Sequence, residues 1–196
     1  MTVTIQSYFL AVSNLFFLVP SVRAFLLNDW LRGILLALTT FFSFTYHLCD
    51  PYIYSDAGVC IFTVSTHHNL DFFFSQLLIP ATILLFIYFP SKLLEYIVII
   101  AFGVFIGFTL HVDNILYIII AIASGLLLMY WIVYSAINKK IVRYRWTNVV
   151  WGLILVSIAI LLFVIDMLPN NSYFIEHSLW HILIAYGIFV LLIVRI

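Results

Sequence analysis

Three histidines in apolar surroundings have the residue type and spacing of a metal site. His177 and His181 are four residues apart in the run EHSLWHILIA, so a helix would place both imidazoles on one face. His47 lies in the run FFSFTYHLCD, with Ser43 four residues before it. Three imidazoles bind Zn²⁺ and leave its fourth position for water, which is the composition of a catalytic zinc centre. The alternative is that each histidine only forms a hydrogen bond between helices, because an H-x-x-x-H pair also arises by chance.

The elements that position these residues are predicted to be membrane helices. Of the 196 residues, 66% are hydrophobic and only 8% are charged, whereas an ordinary soluble domain is about half apolar and about a quarter charged. Eight Lys and Arg balance eight Asp and Glu, so the net charge is zero, which argues against nucleic acid as a partner. We therefore predict an integral, multi-pass membrane protein whose partners are the lipid bilayer and a membrane lipid substrate.

Long apolar runs bounded by charge, proline or asparagine predict an all-α fold with seven transmembrane helices. The predicted spans are Tyr8–Phe25, Trp30–Cys49, Leu70–Phe89, Leu93–Leu110, Ile115–Tyr134, Asn148–Leu168 and Tyr173–Val194. These spans use most of the chain, so residues 1–196 are expected to form one seven-helix transmembrane domain.

With this count, every Lys and Arg falls on one side of the membrane. They are Arg23, Arg32, Lys92, Lys139, Lys140, Arg143, Arg145 and Arg195. Since basic residues concentrate in cytoplasmic loops, we expect the N-terminus outside or in a lumen and the C-terminus in the cytoplasm. The membrane is then the plasma membrane, a secretory-pathway membrane or a bacterial inner membrane. The same topology puts His47, Asp71 and the histidine pair toward the outer leaflet, where a carboxylate beside zinc can orient water or pass its proton.

The two cysteines, Cys49 and Cys60, lie in or beside the second predicted loop. That loop carries no positive charge and faces an oxidising compartment in the expected topology. We expect a disulfide between them, and the alternative is two unpaired buried thiols. Their spacing excludes a Cys-x-x-Cys redox or metal motif.

Other residues are expected to have lesser roles. Gly103 and Gly107 form a G-x-x-x-G pair that would allow close helix approach in a homodimer. His67 and His68 are expected at the membrane interface, where they need no partner. Pro20, inside the first span, is expected to disturb that helix.

The polar residues and their neighbours resemble the transmembrane region of a known family. The segments FFSFTYHLCD, GVCIF, LDFFFSQ and EHSLWHILIA are similar to the transmembrane protein eight family, which includes myomaker and a GPI-directed phospholipase A2, and to its wider CREST superfamily. The pattern S-x-x-x-H, Asp and H-x-x-x-H is complete here. The resemblance implies that His47, His177 and His181 ligate Zn²⁺, that Asp71 holds the metal water, and that Ser43 supports the ligands or the oxyanion.

Together these features predict a zinc-dependent hydrolase of a lipid ester or amide, similar to a ceramidase or a phospholipase A2, with Asp71 and Ser43 as catalytic residues. The alternative is a non-catalytic membrane-remodelling or fusion protein, similar to myomaker, in which zinc braces the bundle. Such fusion is expected to need a lipidated cysteine-rich tail, and the sequence ends at Ile196 without one, which favours the hydrolase. A transporter or receptor is disfavoured because no inverted repeat is detectable.

Overall fold

The computed structural model describes residues 5–49, 60–87, 89–109, 126, 130, 133–134, 145–166 and 173–194. Its helices are α1 (Ile5–Ser13), α2 (Leu18–Leu26), α3 (Trp30–Cys49), α4 (Val64–Ile83), α5 (Lys92–Thr109), α6 (Trp146–Asp166) and α7 (Tyr173–Leu192). A 3₁₀ turn, Asn14–Phe17, joins α1 to α2, and another, Leu84–Phe86, follows α4. The described residues contain no β-strand, which confirms the all-α prediction for this part of the chain.

Four helical stretches in the described ranges are long and apolar enough to cross a membrane. They are Tyr8–Leu26, Val64–Phe86, Trp146–Ile165 and Tyr173–Leu192. These stretches overlap the first, third, sixth and seventh predicted spans, and the chain is an integral membrane protein. Most of the fifth predicted span, Ile115–Tyr134, lies outside the described residues.

Helix α4 begins at Val64, six residues before the predicted start at Leu70. The side chain of Thr63 accepts a hydrogen bond from the backbone N–H of Thr66 at 3.2 Å and so caps the helix. Hydropathy placed the start too late because the first turn of α4 is polar. The predicted third span therefore misses the segment that carries His67.

The first membrane-crossing stretch is interrupted by the 3₁₀ turn Asn14–Phe17. Pro20 lies in the first turn of α2 and has no N–H to offer the carbonyl of Phe16. The expected disturbance by Pro20 therefore takes the form of a tighter turn just before it. Ser13 and Asn14, at this turn, are both buried, so polar groups from the first stretch face the interior of the bundle.

A tight turn links α2 to α3. Asn28 adopts a left-handed conformation with φ of 56°, which asparagine tolerates better than most residues. The N–H groups of Asp29 and Asn28 bond to the carbonyls of Ala24 and Phe25, both at 2.9 Å, in the pattern of a Schellman motif. This turn returns the chain along α2, and Ser21 of α2 donates to the carbonyl of Gly33 in α3 at 2.8 Å.

A buried ionic cluster lies at the start of α3. The Arg32 side chain donates to Asp29 and Glu95, both at 2.6 Å, and to the carbonyl of Ala81 at 2.7 Å. Lys92 adds a contact of 3.2 Å to Asp29. Burial opposes ionisation of Asp29, but the charges of Arg32 and Lys92 outweigh it and lower the pKa of this carboxyl. The cluster fastens α3 to α4 and α5.

The predicted disulfide is confirmed between Cys49 and Cys60, whose Cα atoms are 5.0 Å apart. It ties the last residue of α3 to the segment just before α4. The alternative of two unpaired thiols is therefore wrong. The bridge lies two residues beyond His47 and restrains the end of the helix that carries it.

Two glycines bring α6 and α7 into close contact. A Cβ on Gly152 would lie 2.5 Å from the Leu191 side chain, and one on Gly187 would lie 2.9 Å from that of Val156. Gly103 faces α4 within the same chain, where a Cβ would lie 3.3 Å from Leu77. A homodimer through Gly103 and Gly107 stays a prediction.

Candidate metal centre

The three predicted histidine ligands lie together between α3 and α7. One ring nitrogen from each of His47, His177 and His181 can be chosen so that all three lie within 4.8 Å of one another. Their ring centroids are separated by 5.2 Å, 5.3 Å and 4.7 Å. Nitrogens bound tetrahedrally to one zinc ion would lie ~3.4 Å apart, given Zn–N distances of about 2.0–2.1 Å. Small side-chain movements would therefore bring these nitrogens to bonding distance of one ion.

The environment of His47 fits a metal ligand better than a hydrogen bond between helices. His47 and His181 are each only 1% exposed, whereas His177 is half-buried. Among the described residues, neither ring nitrogen of His47 has a hydrogen-bond partner. A buried polar atom without a partner costs free energy, and a cation held by the imidazoles would remove that cost for one nitrogen. The donor set is one that zinc commonly takes.

Asp71 and Ser43 lie together beside the histidines. The Asp71 carboxyl interacts electrostatically with the Ser43 hydroxyl and with His177. A second hydroxyl, that of Ser75, donates to Asp71 Oδ1 at 3.3 Å. Hydroxyls from α3 and α4 therefore lie at the Asp71 carboxyl, which is close to the half-buried His177.

The expectation that His67 needs no partner at the membrane interface is wrong. His67 is fully buried, and its Nε2 accepts a hydrogen bond from the backbone N–H of Phe62 at 3.1 Å. Because Nε2 accepts, the proton of the neutral ring is on Nδ1, which lies 3.2 Å from Thr45 Oγ1. Thr45 in turn donates to the carbonyl of Phe41 at 2.8 Å. Both ring nitrogens of His67 are thus occupied in joining α4, α3 and the segment after the disulfide.

His68 differs from its neighbour because its side chain is exposed. Its ring contacts those of Tyr46 and Phe72, with centroids 5.3 Å and 4.8 Å away. His68 lies on the same helix as Asp71, but it is not part of the histidine cluster.

Ser13 is a polar neighbour of the cluster that sequence reasoning missed. Its Oγ lies 2.9 Å from Nδ1 of His181, although 168 positions separate the two residues. Neither spacing nor local pattern links them, and only the packing of α1 against α7 brings them together.

Aromatic side chains surround His177 on its half-buried side. The rings of Tyr173, Trp180 and Phe163 have centroids 4.9 Å, 5.3 Å and 6.3 Å from that of His177. All three are half-buried. They form an apolar wall, from α6 and α7, beside the most accessible of the three imidazoles.

Comparison with known proteins gives the chain a family and a relative. The family model of DUF3522, described as a protein of unknown function, matches residues 2–182. Post-GPI attachment to proteins factor 6 from Homo sapiens is 28% identical over 192 residues, which is 90% of this chain and 23% of that relative. The chain thus spans less than a quarter of the length of the curated relative. The expected membership of the transmembrane protein eight family is corrected by these matches, which are to DUF3522 and to a post-GPI attachment factor, not to myomaker.

Proposed function

The chain belongs to the DUF3522 family, and we propose that it is a zinc-dependent hydrolase of a membrane lipid, acting on an ester or amide bond. The observation that carries the proposal is the set of three imidazoles within 4.8 Å, next to the Asp71 carboxylate. The proposal includes seven spans in one domain, with the N-terminus outside or lumenal and the C-terminus cytoplasmic.

His47, His177 and His181 would hold the zinc ion. Bound zinc would supply Lewis acidity toward a carbonyl oxygen and an acidified water as nucleophile. Neutral imidazoles are required for this ligation. His47 and His181, two of the three proposed ligands, are buried.

Asp71 is the proton carrier in this proposal. Its carboxylate takes the proton from the attacking water and delivers it to the leaving oxygen or nitrogen. The Ser43 hydroxyl interacts electrostatically with that carboxyl, which supports a role in orienting Asp71 more than a role at the oxyanion. Ser75 donates an orienting hydrogen bond to Asp71 Oδ1.

The lipid would approach along the side of His177. His47 and His181 are closed off from the surface, whereas His177 is half-buried and borders the wall of Tyr173, Trp180 and Phe163. An aromatic wall suits an acyl chain, since both are apolar. The name of the human relative refers to proteins after GPI attachment. We therefore propose glycosylphosphatidylinositol lipids as the first substrate class to test.

The test combines metal analysis with lipid hydrolysis by the purified full chain. Wild-type protein is expected to contain one zinc ion and to cleave a lipid from a panel of phospholipids, ceramides and glycosylphosphatidylinositols. His47→Ala, His177→Ala and His181→Ala are expected to lose both zinc and hydrolysis. His68→Ala is the histidine control for metal binding and should retain zinc, because His68 is not part of the cluster. Full hydrolysis by His181→Ala in zinc-replete buffer would overturn the proposal.

A second candidate function is non-catalytic, with zinc bracing helices of a membrane-remodelling protein. The observation that favours it is that the histidine cluster joins α3 to α7 at two fully enclosed residues, His47 and His181. Stoichiometric zinc in wild-type protein, together with no turnover of any lipid in the panel, would support this candidate over the hydrolase.

A further inference from the structure

A hydrogen-bonded chain runs from α7 into α1 behind the candidate metal centre. Nδ1 of His181 lies 2.9 Å from the hydroxyl oxygen of Ser13, and that oxygen lies 2.6 Å from the carbonyl oxygen of Leu10. Ser13 and His181 are each 1% exposed, so water does not compete for these contacts. The chain ends on a backbone carbonyl, which can only accept.

The direction of the bonds follows from the single proton of the serine hydroxyl. An O–H···O contact of 2.6 Å is short for this class of hydrogen bond, so the hydroxyl proton is assigned to the Leu10 carbonyl. The oxygen of Ser13 then accepts from His181, and the proton of the neutral imidazole is on Nδ1. The separation of 2.9 Å is typical of an N–H···O bond.

This assignment leaves the lone pair of His181 on Nε2. Histidines that ligate metals usually donate their other ring N–H to an oxygen, which fixes both the tautomer and the ring orientation. His181 has such a partner, whereas His47 has none among the described residues on either nitrogen. One ligand of the three is therefore oriented by a residue that lies outside α3 and α7.

Local structure keeps Ser13 in position. It is the last residue of α1 and directly precedes the 3₁₀ turn Asn14–Phe17. Asn14 Nδ2 also donates to the Leu10 carbonyl, at 3.1 Å, so the acceptor at the end of the chain is held from two sides. The 3₁₀ turn before Pro20 thus helps to hold Ser13 at His181, the proposed ligand in α7.

We propose that Ser13 is a positioning residue that holds His181 in its Nδ1-protonated tautomer and directs Nε2 to the metal. The inference rests on the proposed function because it assumes that the histidine cluster takes zinc. It predicts that the hydroxyl at position 13 raises metal affinity without touching the ion.

The first experiment measures zinc affinity by chelator competition in the purified full chain. Ser13→Ala is expected to weaken zinc binding by about 10-fold to 100-fold, the usual effect of removing such a partner. Ser13→Thr keeps a hydroxyl and is expected to restore most of the affinity. The matched control is Ser178→Ala, since Ser178 is a buried serine of α7 that donates to the carbonyl of Phe174 at 2.5 Å. The control should bind zinc as the wild type does.

A second readout separates orientation from general loosening. The visible spectrum of the Co²⁺-loaded protein should change in Ser13→Ala and stay unchanged in Ser178→Ala. In metal-free protein labelled with ¹⁵N-histidine, NMR should show His181 protonated on Nδ1 in the wild type and a mixture of tautomers in Ser13→Ala.

The outcomes distinguish this inference from the proposed function. Absence of zinc from the purified wild-type protein would overturn the proposed function. The role of Ser13 would then be decided by the NMR measurement of the His181 tautomer in metal-free protein. Protonation of His181 on Nε2 in the wild type overturns the inference. Folded Ser13→Ala with wild-type zinc affinity and an unchanged Co²⁺ spectrum also overturns it.

Discussion

The two ends of α3 carry buried polar clusters of opposite character. Arg32 near the start of the helix and His47 near its end are separated by about 22 Å along the axis. Arg32 uses three different nitrogens to reach Asp29, Glu95 and the Ala81 carbonyl. Both ring nitrogens of His47, in contrast, have no partner among the described residues.

The difference separates a structural cluster from a candidate binding site. A buried charge is tolerated when its hydrogen-bonding groups are paired, and the cluster around Arg32 meets that condition with helices α3, α4 and α5. His47, in the histidine cluster, has no such pairing among the described residues. Binding a ligand can offset the free-energy cost of a buried group that folding leaves unpaired. Because three imidazole nitrogens lie close together here, a metal cation is the ligand that fits.

The largest effect on stability is expected at Arg32. Arg32→Met removes the guanidinium from two buried carboxylates and should lower the free energy of unfolding by about 3–5 kcal/mol. Unfolding in mixed micelles, followed by circular dichroism, measures this loss. Lys92→Ala is the control, because the Lys92 side chain is 52% exposed and should contribute about 0–1 kcal/mol. Equal losses in the two variants would contradict the structural role of the buried cluster.

A smaller, pH-dependent effect is expected at Asp29. Its pKa is lowered in the folded state because the charges of Arg32 and Lys92 outweigh the burial of the carboxyl. A lowered carboxyl pKa adds stability above the unfolded value of about 3.9, and this stability is lost as the pH falls through the folded value. Wild-type protein should therefore lose stability below about pH 4. Asp29→Asn should be less stable at neutral pH and should show a shallower loss on acidification, measured by unfolding across pH.

The smallest effect on stability is expected at His47, together with a complete loss of zinc binding. His47→Leu replaces an imidazole whose nitrogens lack partners with an apolar side chain, so the metal-free protein should change in stability by no more than about 1 kcal/mol. The same variant should lose zinc binding, measured by metal analysis. A large destabilisation of the metal-free variant would show that His47 is a structural residue like Arg32 and would remove the contrast between the two ends of α3.

Local signals in the sequence were enough to identify the membrane class, several helices and the three histidines that the fold brings together. Helix α3 begins and ends at the predicted residues, and α7 begins at Tyr173 as predicted, because apolar composition and helical spacing are properties of neighbouring residues. The disulfide was predictable for the same reason, since Cys49 and Cys60 share one short segment. The start of α4 was not, because its first turn is polar and its signal is the cap at Thr63.

The sequence by itself determined which side chains are available to a site, because the order of the residues fixes both their chemistry and their spacing along a helix. Tertiary structure alone decided how they are partnered. It brought Ser13 to His181, enclosed His67 between Phe62 and Thr45, and paired Arg32 with Glu95. The physical reason is that a hydrophobic pattern specifies which face of a helix is buried but not which distant group meets it. That choice depends on how the helices pack around one another.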